Sequence, residues 1–446
     1  MAILSKLNPA AALFAEDTAS SLTPAAYAAA LLASLDSPLV NFRFDDERSA
    51  AMLWAHSGAM ALSGHAEGSA QPCPAPIAAC AQGAWLALAA LFPDKLSGDF
   101  PAYQLLGERA ALSGYTRRGR VSAGGACRIF AIADGFIAVN LPRDDDFELL
   151  AAWLESDVED WADLQSALVS CDGESLLERG RLLGLACALV EPPLASSHWY
   201  QEQRCSAPIA VARKNPLVID LSSLWAGPLC GQLLAQTGAR VIKVESVARP
   251  DGARFGNRDF FDLLNAGKES VLLDLSSSVG RQQLAALLKR ADIVIESTRP
   301  RALEQMGIVA ADIVAANPGA VWVGISGYGR GEPNRNWIAY GDDAGVAAGL
   351  SWLMGGDQGD PIFCADAIAD PLTGLHAALL AASAWQQGGG SVLDISLHGV
   401  TSYCIQSGRA ESDGSSADIL PPKARRPFGS AAELGADTDR VLRELL

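Results

Sequence analysis

At 446 residues the chain has room for two or three domains, and with half its residues hydrophobic and 19% charged it can bury sizeable cores, which excludes global disorder. A formal net charge of −17 argues against nucleic acid or an anionic membrane as a partner, because either needs a basic face; an anionic small molecule remains compatible where a few cations gather. Nine scattered cysteines, with no CxxC pair and no Cys/His spacing of the zinc type, point to free thiols in a reducing, cytoplasmic compartment and suggest no metal site.

The N-terminus, MAILSKLNPAAALFAEDTASS, lacks a basic region, a sustained apolar run and a clean cleavage site, so no export signal is expected. Residues 1–115 are rich in alanine and read as a helical segment, notably around Trp54–Leu62 and Gly83–Leu91. The longest apolar stretch, Pro76 to Phe92, contains Gln82 and Gly83 and is short for a membrane span, so a buried helix is predicted. Residues 116–210 read as a small α+β domain. In it CRIFAIADGFIAVNLP forms two strands joined at an Asp-Gly turn, and amphipathic helices follow over DDFELLAAWLE, DWADLQSALVS and SLLERGRLLGL. SSHWYQEQRCSAPIAVARKNP reads as a linker.

From residue 211 to about 400, strands of continuous Val, Ile and Leu alternate with helices: LVIDLS, CGQLLAQTG, ARVIKVES, SVLLDLS, VGRQQLAALLKR, ADIVIES and AVWVGISGYG. That pattern predicts an α/β, Rossmann-like large domain, a parallel sheet covered on both faces. No GxGxxG joins the first strand to its helix, which argues against a nicotinamide or flavin site. Residues 401–446 read as a C-terminal linker and tail. A repeat also runs through the chain at a constant offset of 291 residues. It pairs Gly58 with Gly349, Leu62 with Leu353, Gly64 with Gly355, Cys73 with Cys364, Ile77-Ala78 with Ile368-Ala369, and Gly83 with Gly374. In that register Ala79 stands opposite Asp370, so residues 1–115 contain a degenerate copy of that region.

Read in order, DLSSLWAGPLCGQLLAQTGARVIKVE, NAGKESVLLDL, ADIVIESTRPRALEQMGI, NPGAVWVGISGYGRGEP, AIADPLTGLHAALLA and GGGSVLDISL resemble the large domain of family III CoA-transferases, over about 215–400. DGFIAVNLPRDDDFELLAAWL resembles the family's small domain and GSAAELGADTDRVLREL its tail. The order differs, since in the family the large domain normally begins the chain. The resemblance implies that fold in rearranged order, acyl-CoA and carboxylic acid substrates with coenzyme A as the group carried, a homodimer, and an active site between the two domains.

It also implies site residues. Asp370, in Ile368-Ala369-Asp370, would be a covalent nucleophile. Its carboxylate can accept an acyl unit as a mixed anhydride and then CoA as a thioester, which splits one hard transfer into easier steps. By local sequence alone, Asp370 before Pro371 and an apolar helix reads first as an N-cap, and it is the resemblance that turns the reading to catalysis. The turn Trp225-Ala226-Gly227 would bring backbone amides to CoA, or else simply let helix and sheet pack closely. Lys268 and Arg299 fall where the family contacts the nucleotide, and Tyr328 where it lines the CoA channel; the alternative for each cation is a solvated surface charge. Ser297-Thr298 replace the family's frequent Asn-Phe, Gln305 replaces an arginine, and the family's late glycine-rich loop has no clear counterpart. Tyr340 stands where related acyl-CoA racemases carry a histidine, which disfavours racemase or isomerase chemistry; a catalytically inactive CoA-binding scaffold is the other alternative. His376 reads as a core or surface residue of its helix rather than a base.

Overall fold

The computed structural model describes residues 22–39, 42–143, 145–196, 198–211, 214–355, 359–410 and 418–446. The N-terminal stretch read for an export signal lies outside them. The small domain is an antiparallel sheet of β1 (Cys127–Ile132), β2 (Gly135–Asn140) and β3 (Ala186–Leu189) in that spatial order. Ile132 pairs with Gly135 across the β1–β2 turn. One face packs on the helices Leu150–Leu154, Trp161–Leu168 and Gly173–Leu183 around Trp153, whose indole N–H donates to the Leu176 carbonyl at 2.9 Å. The other face presents Cys127, Ile129, Ala138 and Ala188 to Val346 and Phe363 of the large domain.

The large domain is a seven-stranded sheet. Its strands are β4 (Tyr200–Arg204), β5 (Leu217–Asp220), β6 (Arg240–Ser246), β7 (Glu269–Leu273), β8 (Ile293–Glu296), β9 (Val321–Ser326) and β10 (Ser391–Ser396), ordered β4-β10-β9-β8-β5-β6-β7. β5 and β8 are buried at every residue, which is why they read as unbroken apolar runs. From β5 the chain moves outward to β6 and β7, then returns to the other side of β5 for β8, β9 and β10. The reversal leaves a topological switch point between the carboxyl ends of β5 and β8, the place where ligands bind in open α/β sheets.

Two findings correct the sequence reading. The stretch read as a linker contains β4, which adds antiparallel to β10 as an edge strand, from Ser391↔Arg204 to Ile395↔Tyr200; its polar composition suits an edge. The helical segment read over residues 1–115 packs into the large domain, as its described helices show. Pro24–Ser34, Ala50–His56 and Ile77–Leu91 join the Ala226–Gln236 and Ala369–Gln386 helices in one continuous core over one face of the sheet. The Ile77–Leu91 helix is buried along nearly its whole length, and no helix among the described residues is long and apolar enough to cross a membrane. At the far edge the Thr438–Leu445 helix covers β7, with the Ser270 amide donating to Asp437 and the Leu272 amide to Thr438 Oγ1.

Candidate active site

Asp370 lies in the first turn of the Ala369–Gln386 helix, whose N-cap is Ile368 with no side-chain cap. It therefore does not cap its own helix. Its Oδ2 instead accepts the amide of Gly341, the first residue of the Gly341–Ala347 helix, at 3.1 Å. A Cβ on Gly341 would sit 2.4 Å from that oxygen and 2.3 Å from the Ala367 carbonyl, so only glycine permits the approach. Leading into Asp370, Ala365 (φ 59°) and Ala367 (φ 42°) adopt left-handed backbone, a strained conformation for residues with a Cβ. The strain is held by the Ser63 hydroxyl, which accepts the Ala365 amide at 2.9 Å, and by Asp342 Oδ1, which accepts the Ala367 amide at 2.8 Å.

Four carboxylates gather here, each with a separate partner. Asp343 is fully buried and accepts from Asn140 Nδ2 at 2.7 Å and from the Tyr340 amide at 3.0 Å. Asp366, also fully buried, receives a two-pronged ion pair from Arg109, Nε at 2.9 Å and Nη2 at 2.6 Å. The Arg109 guanidinium lies 5.1 Å over the Trp225 ring. Beside it the Ser122–Gly125 turn of the small domain runs so close that a Cβ on Gly124 would be 3.6 Å from Arg109 Nη2. Burial pushes Asp370 up to about 7; Arg109 opposes the rise and Asp342 adds to it. Burial also pushes Asp343 up to about 7, against its hydrogen bond from Asn140, and Asp342 up to about 6, with Asp366 adding to the rise. Burial works against the Arg109 charge, but Asp366, Asp342 and Asp370 outweigh it and hold the guanidinium above its ordinary range. A half-buried carboxyl titrating near neutrality, with one oxygen fixed by an amide, is suited to act as a nucleophile.

The other sequence-predicted residues are placed differently. Trp225 is buried, edge-on to Phe260 with centroids 5.1 Å apart, and its indole N–H has no partner. Gly227 is a packing glycine: a Cβ there would lie 2.2 Å from Ser222 Cβ, while the Ala226 carbonyl meets Gly374 of the neighbouring helix. The amides of the preceding turn are already taken, Ser222 by Asp220, Ser223 by Ser297 Oγ and Leu224 by Asp251. Ser297, a departure from the family pattern, thus ties the β5 and β8 ends together. Lys268 is corrected outright. It is 4% exposed, and its ammonium donates to Asp220 Oδ2 and the Pro228 carbonyl, both at 2.8 Å, so it neutralises a buried aspartate rather than meeting a ligand. Tyr328 lies between the domains, under Arg181 of the small domain and edge-on to Trp337. His376 is wholly buried; its Nδ1–H donates to the Leu372 carbonyl and its Nε2 accepts from the Tyr27 hydroxyl at 2.9 Å, so it is a core residue.

Arg299 is exposed at the carboxyl end of β8, and its neighbours were not anticipated. Burial and the charges of Arg301, Arg249 and Arg143 lower it below the ordinary arginine range, so these guanidinium groups act on one another through their charge. Among the described residues Arg249, Arg299 and Arg301 have no carboxylate partner. Arg143 and Arg249 also act on the Tyr340 hydroxyl, one residue before the amide that holds Asp370. A cavity of about 190 Å³ lies elsewhere, against Glu296, Trp322 and Arg330 on the opposite face of the sheet. Its polar centre is already spent: Glu296 accepts from Thr298, Trp322 and Arg330. Sequence reasoning missed Arg109, Asp342, Asp343, Asp366, Arg143 and Arg249. Only the acidic pair Asp342-Asp343 and the spacing Asp366-x3-Asp370 were visible as signals.

Fold and site together define an α/β protein with a topological switch point between β5 and β8 and a buried carboxylate cluster around Asp370. Residues 214–425 match the model of the family described as CoA-transferase family III. It is 34% identical to an "Acyl-CoA transferase" of Fusarium pseudograminearum, over 40% of this chain and 44% of that one. It is 30% identical to the "Succinyl-CoA--D-citramalate CoA-transferase" of Chloroflexus aurantiacus, over 51% of this chain and 62% of that one. A solved structure of a hypothetical protein from Mycobacterium tuberculosis aligns with 28% identity and a TM-score of 0.39, over 43% of this chain and 57% of that one. The chain spans about half the length of the curated relatives it matches.

Proposed function

We propose that the protein is a CoA-transferase that moves CoA between small carboxylic acids, with Asp370 as the covalent nucleophile. The observation that carries this reading is the setting of Asp370: half-buried, raised to about 7, one oxygen anchored on the Gly341 amide. In the first step the carboxylate attacks the thioester carbonyl of an acyl-CoA; a mixed anhydride forms and CoA leaves as thiolate. The thiolate then attacks the aspartyl carbonyl, releasing the first acid and leaving an aspartyl-CoA thioester. The acceptor acid attacks that thioester, forming a second anhydride, and the expelled thiolate takes the new acyl group and frees Asp370. Each anhydride passes through an oxyanion that amide donors stabilise, and Gly341 is one amide in reach. The anionic end of CoA would be held by Arg299 with Arg249, Arg301 and Arg143, whose charges act on Arg299 and, for Arg249 and Arg143, on Tyr340. Trp225 and Tyr328 would contribute apolar walls rather than charge, and the small domain would close the crevice.

The test is intact-protein mass spectrometry after incubation with a panel of acyl-CoAs. Wild type should gain an acyl or CoA adduct that peptide mapping assigns to Asp370. Asp370→Asn keeps an oxygen for the Gly341 amide, so it should fold as wild type and still bind CoA while forming no adduct and no product. A fully active Asp370→Asn protein, checked for deamidation, would end the covalent reading. A wild type that binds CoA but transfers to no acid would favour a binding protein instead.

A further inference from the structure

The degenerate N-terminal copy is packed against the copy it resembles. At the 291-residue offset the helix Ala50–His56 matches Gly341–Ala347 end for end. The glycine that follows each is left-handed, Gly58 at φ +80° and Gly349 at φ +96°, and each is backed by a proline, Pro422 for one and Pro193 for the other. Gly83 lies on the carbonyl of Pro24 and the side chain of Tyr27; Gly374 lies on the carbonyl of Ala226 and the side chain of Leu229, again three residues apart on one helix. The two long helices Ile77–Leu91 and Ala369–Gln386 pack on each other. Cys73 and Cys364, equivalent positions, face one another with sulfurs 3.9 Å apart. Equivalent residues touching across an interface mark an isologous, two-fold arrangement, here within one chain.

The chemistry is not symmetric. At the same offset Asp342, Asp343, Asp366 and Asp370 correspond to Ala51, Met52, Ala75 and Ala79. All four carboxylates are gone from the N-terminal copy, and Ala79 is wholly buried. What that copy supplies instead is Arg109, on the short helix Glu108–Ser113, reaching across to Asp366. Arg109 lies outside the family-matched segment.

We propose that residues 22–115 serve as a built-in second half, related to residues 341–386 by a local two-fold, and that they complete the single active site in cis through Arg109, a positioning residue that fixes Asp366 beside Asp370. The proposal rests on the reading of Asp370 as the reacting carboxylate. A homodimer, which the family resemblance implies, would then form through faces other than the one between the two long helices. The charged groups acting on Asp370 are Arg109 from the N-terminal half, Asp342 from the Gly341–Ala347 helix, and Asp366 from the segment before its own helix.

The test reads the protonation of Asp370 without turnover, so it stands or falls separately from the transferase reading. A water-soluble carbodiimide with a nucleophilic amine labels protonated carboxyls. Labelling at Asp370 is followed by peptide mass mapping from pH 5 to 9 on the full chain. In wild type the midpoint should lie near 7 and should not depend on protein concentration. Arg109→Gln should move it up by about one unit, the effect of removing a nearby opposite charge, and Arg109→Lys should bring it back. A purely structural Arg109 would lower thermal stability and leave the midpoint in place, and that result overturns the proposal. If Arg109→Gln does not fold, Asp366→Asn carries the test. It removes a like charge and leaves Arg109 unpaired, so the midpoint should fall; an unmoved midpoint overturns the proposal. So does a wild-type midpoint that changes on dilution, because a second copy would then be completing the site.

Discussion

Asp343 and Asp370 show how burial sets both chemistry and stability. Asp343 is raised by burial from its ordinary 3.8 to about 7, and its Oδ2 has no hydrogen-bond partner. The folded protein thus holds this proton more tightly than the unfolded chain does, so ionisation favours unfolding. The cost is absent below about pH 4, grows as pH rises, and is complete above about 7. Asp343→Asn keeps an oxygen for Asn140 and the Tyr340 amide but cannot ionise. Its unfolding free energy, measured in urea at pH 5 and pH 8, should differ less between the two than that of wild type, by on the order of 1–3 kcal/mol. Asp342 and Asp370 contribute slopes of the same sign, so part of the pH dependence should remain. For Asp370 the same shift has a kinetic sign: adduct formation needs the ionised form and should rise with pH through about 7. None of this was legible at the residue level, because the Asp370 motif gives the same local sequence whether the carboxylate caps its own helix or accepts an amide from another.

Helix against helix, the two matched glycines fix the spacing of the core. A Cβ at Gly83 would lie 2.8 Å from the Pro24 carbonyl and one at Gly374 would lie 2.7 Å from the Ala226 carbonyl, backbone contacts that cannot swing aside. Alanine is worth about 1 kcal/mol over glycine within a helix, but overpacking costs roughly 1–3 kcal/mol. Both Gly83→Ala and Gly374→Ala should therefore lower the Tm. Only Gly374→Ala shifts the helix that carries Asp370, so it alone should also reduce adduct yield at temperatures where both variants are folded. At this scale the sequence was informative about type. The alternation of apolar runs and helices foretold the parallel sheet, and Pro76 to Phe92 foretold a buried helix. The edge strand β4 was missed because strands that pair on one side carry no apolar run, and Tyr200–Arg204 reads as polar linker.

Across the whole molecule, a net charge of −17 makes the arginine group at the switch point a local exception. The surrounding negative field disfavours any anion elsewhere, so binding of CoA should depend on those few cations. Arg249→Ala and Arg299→Ala should each weaken CoA binding by roughly 2–5-fold in calorimetry, the scale of an exposed charge pair. The loss should be larger at low ionic strength and should shrink in 0.5 M salt, where charges separated by more than a few ångströms are screened. Equal losses at both salt concentrations would mean that the arginines act by packing rather than by charge.

By itself the sequence determined the α/β class, the parallel sheet, the family likeness of residues 215–400 and the candidacy of Asp370, because periodicity and motif spacing are local properties. Tertiary structure decided what those residues meet. Lys268, a surface cation by pattern, turned inward to Asp220 because the end of β5 buries an aspartate that needs a counter-charge. Arg109 and Asp366 lie 257 residues apart and became partners only when the N-terminal helices closed over the Ala369–Gln386 helix. Long-range ion pairs and the close approach of Gly341 to Asp370 depend on where backbones cross, and no local pattern encodes that.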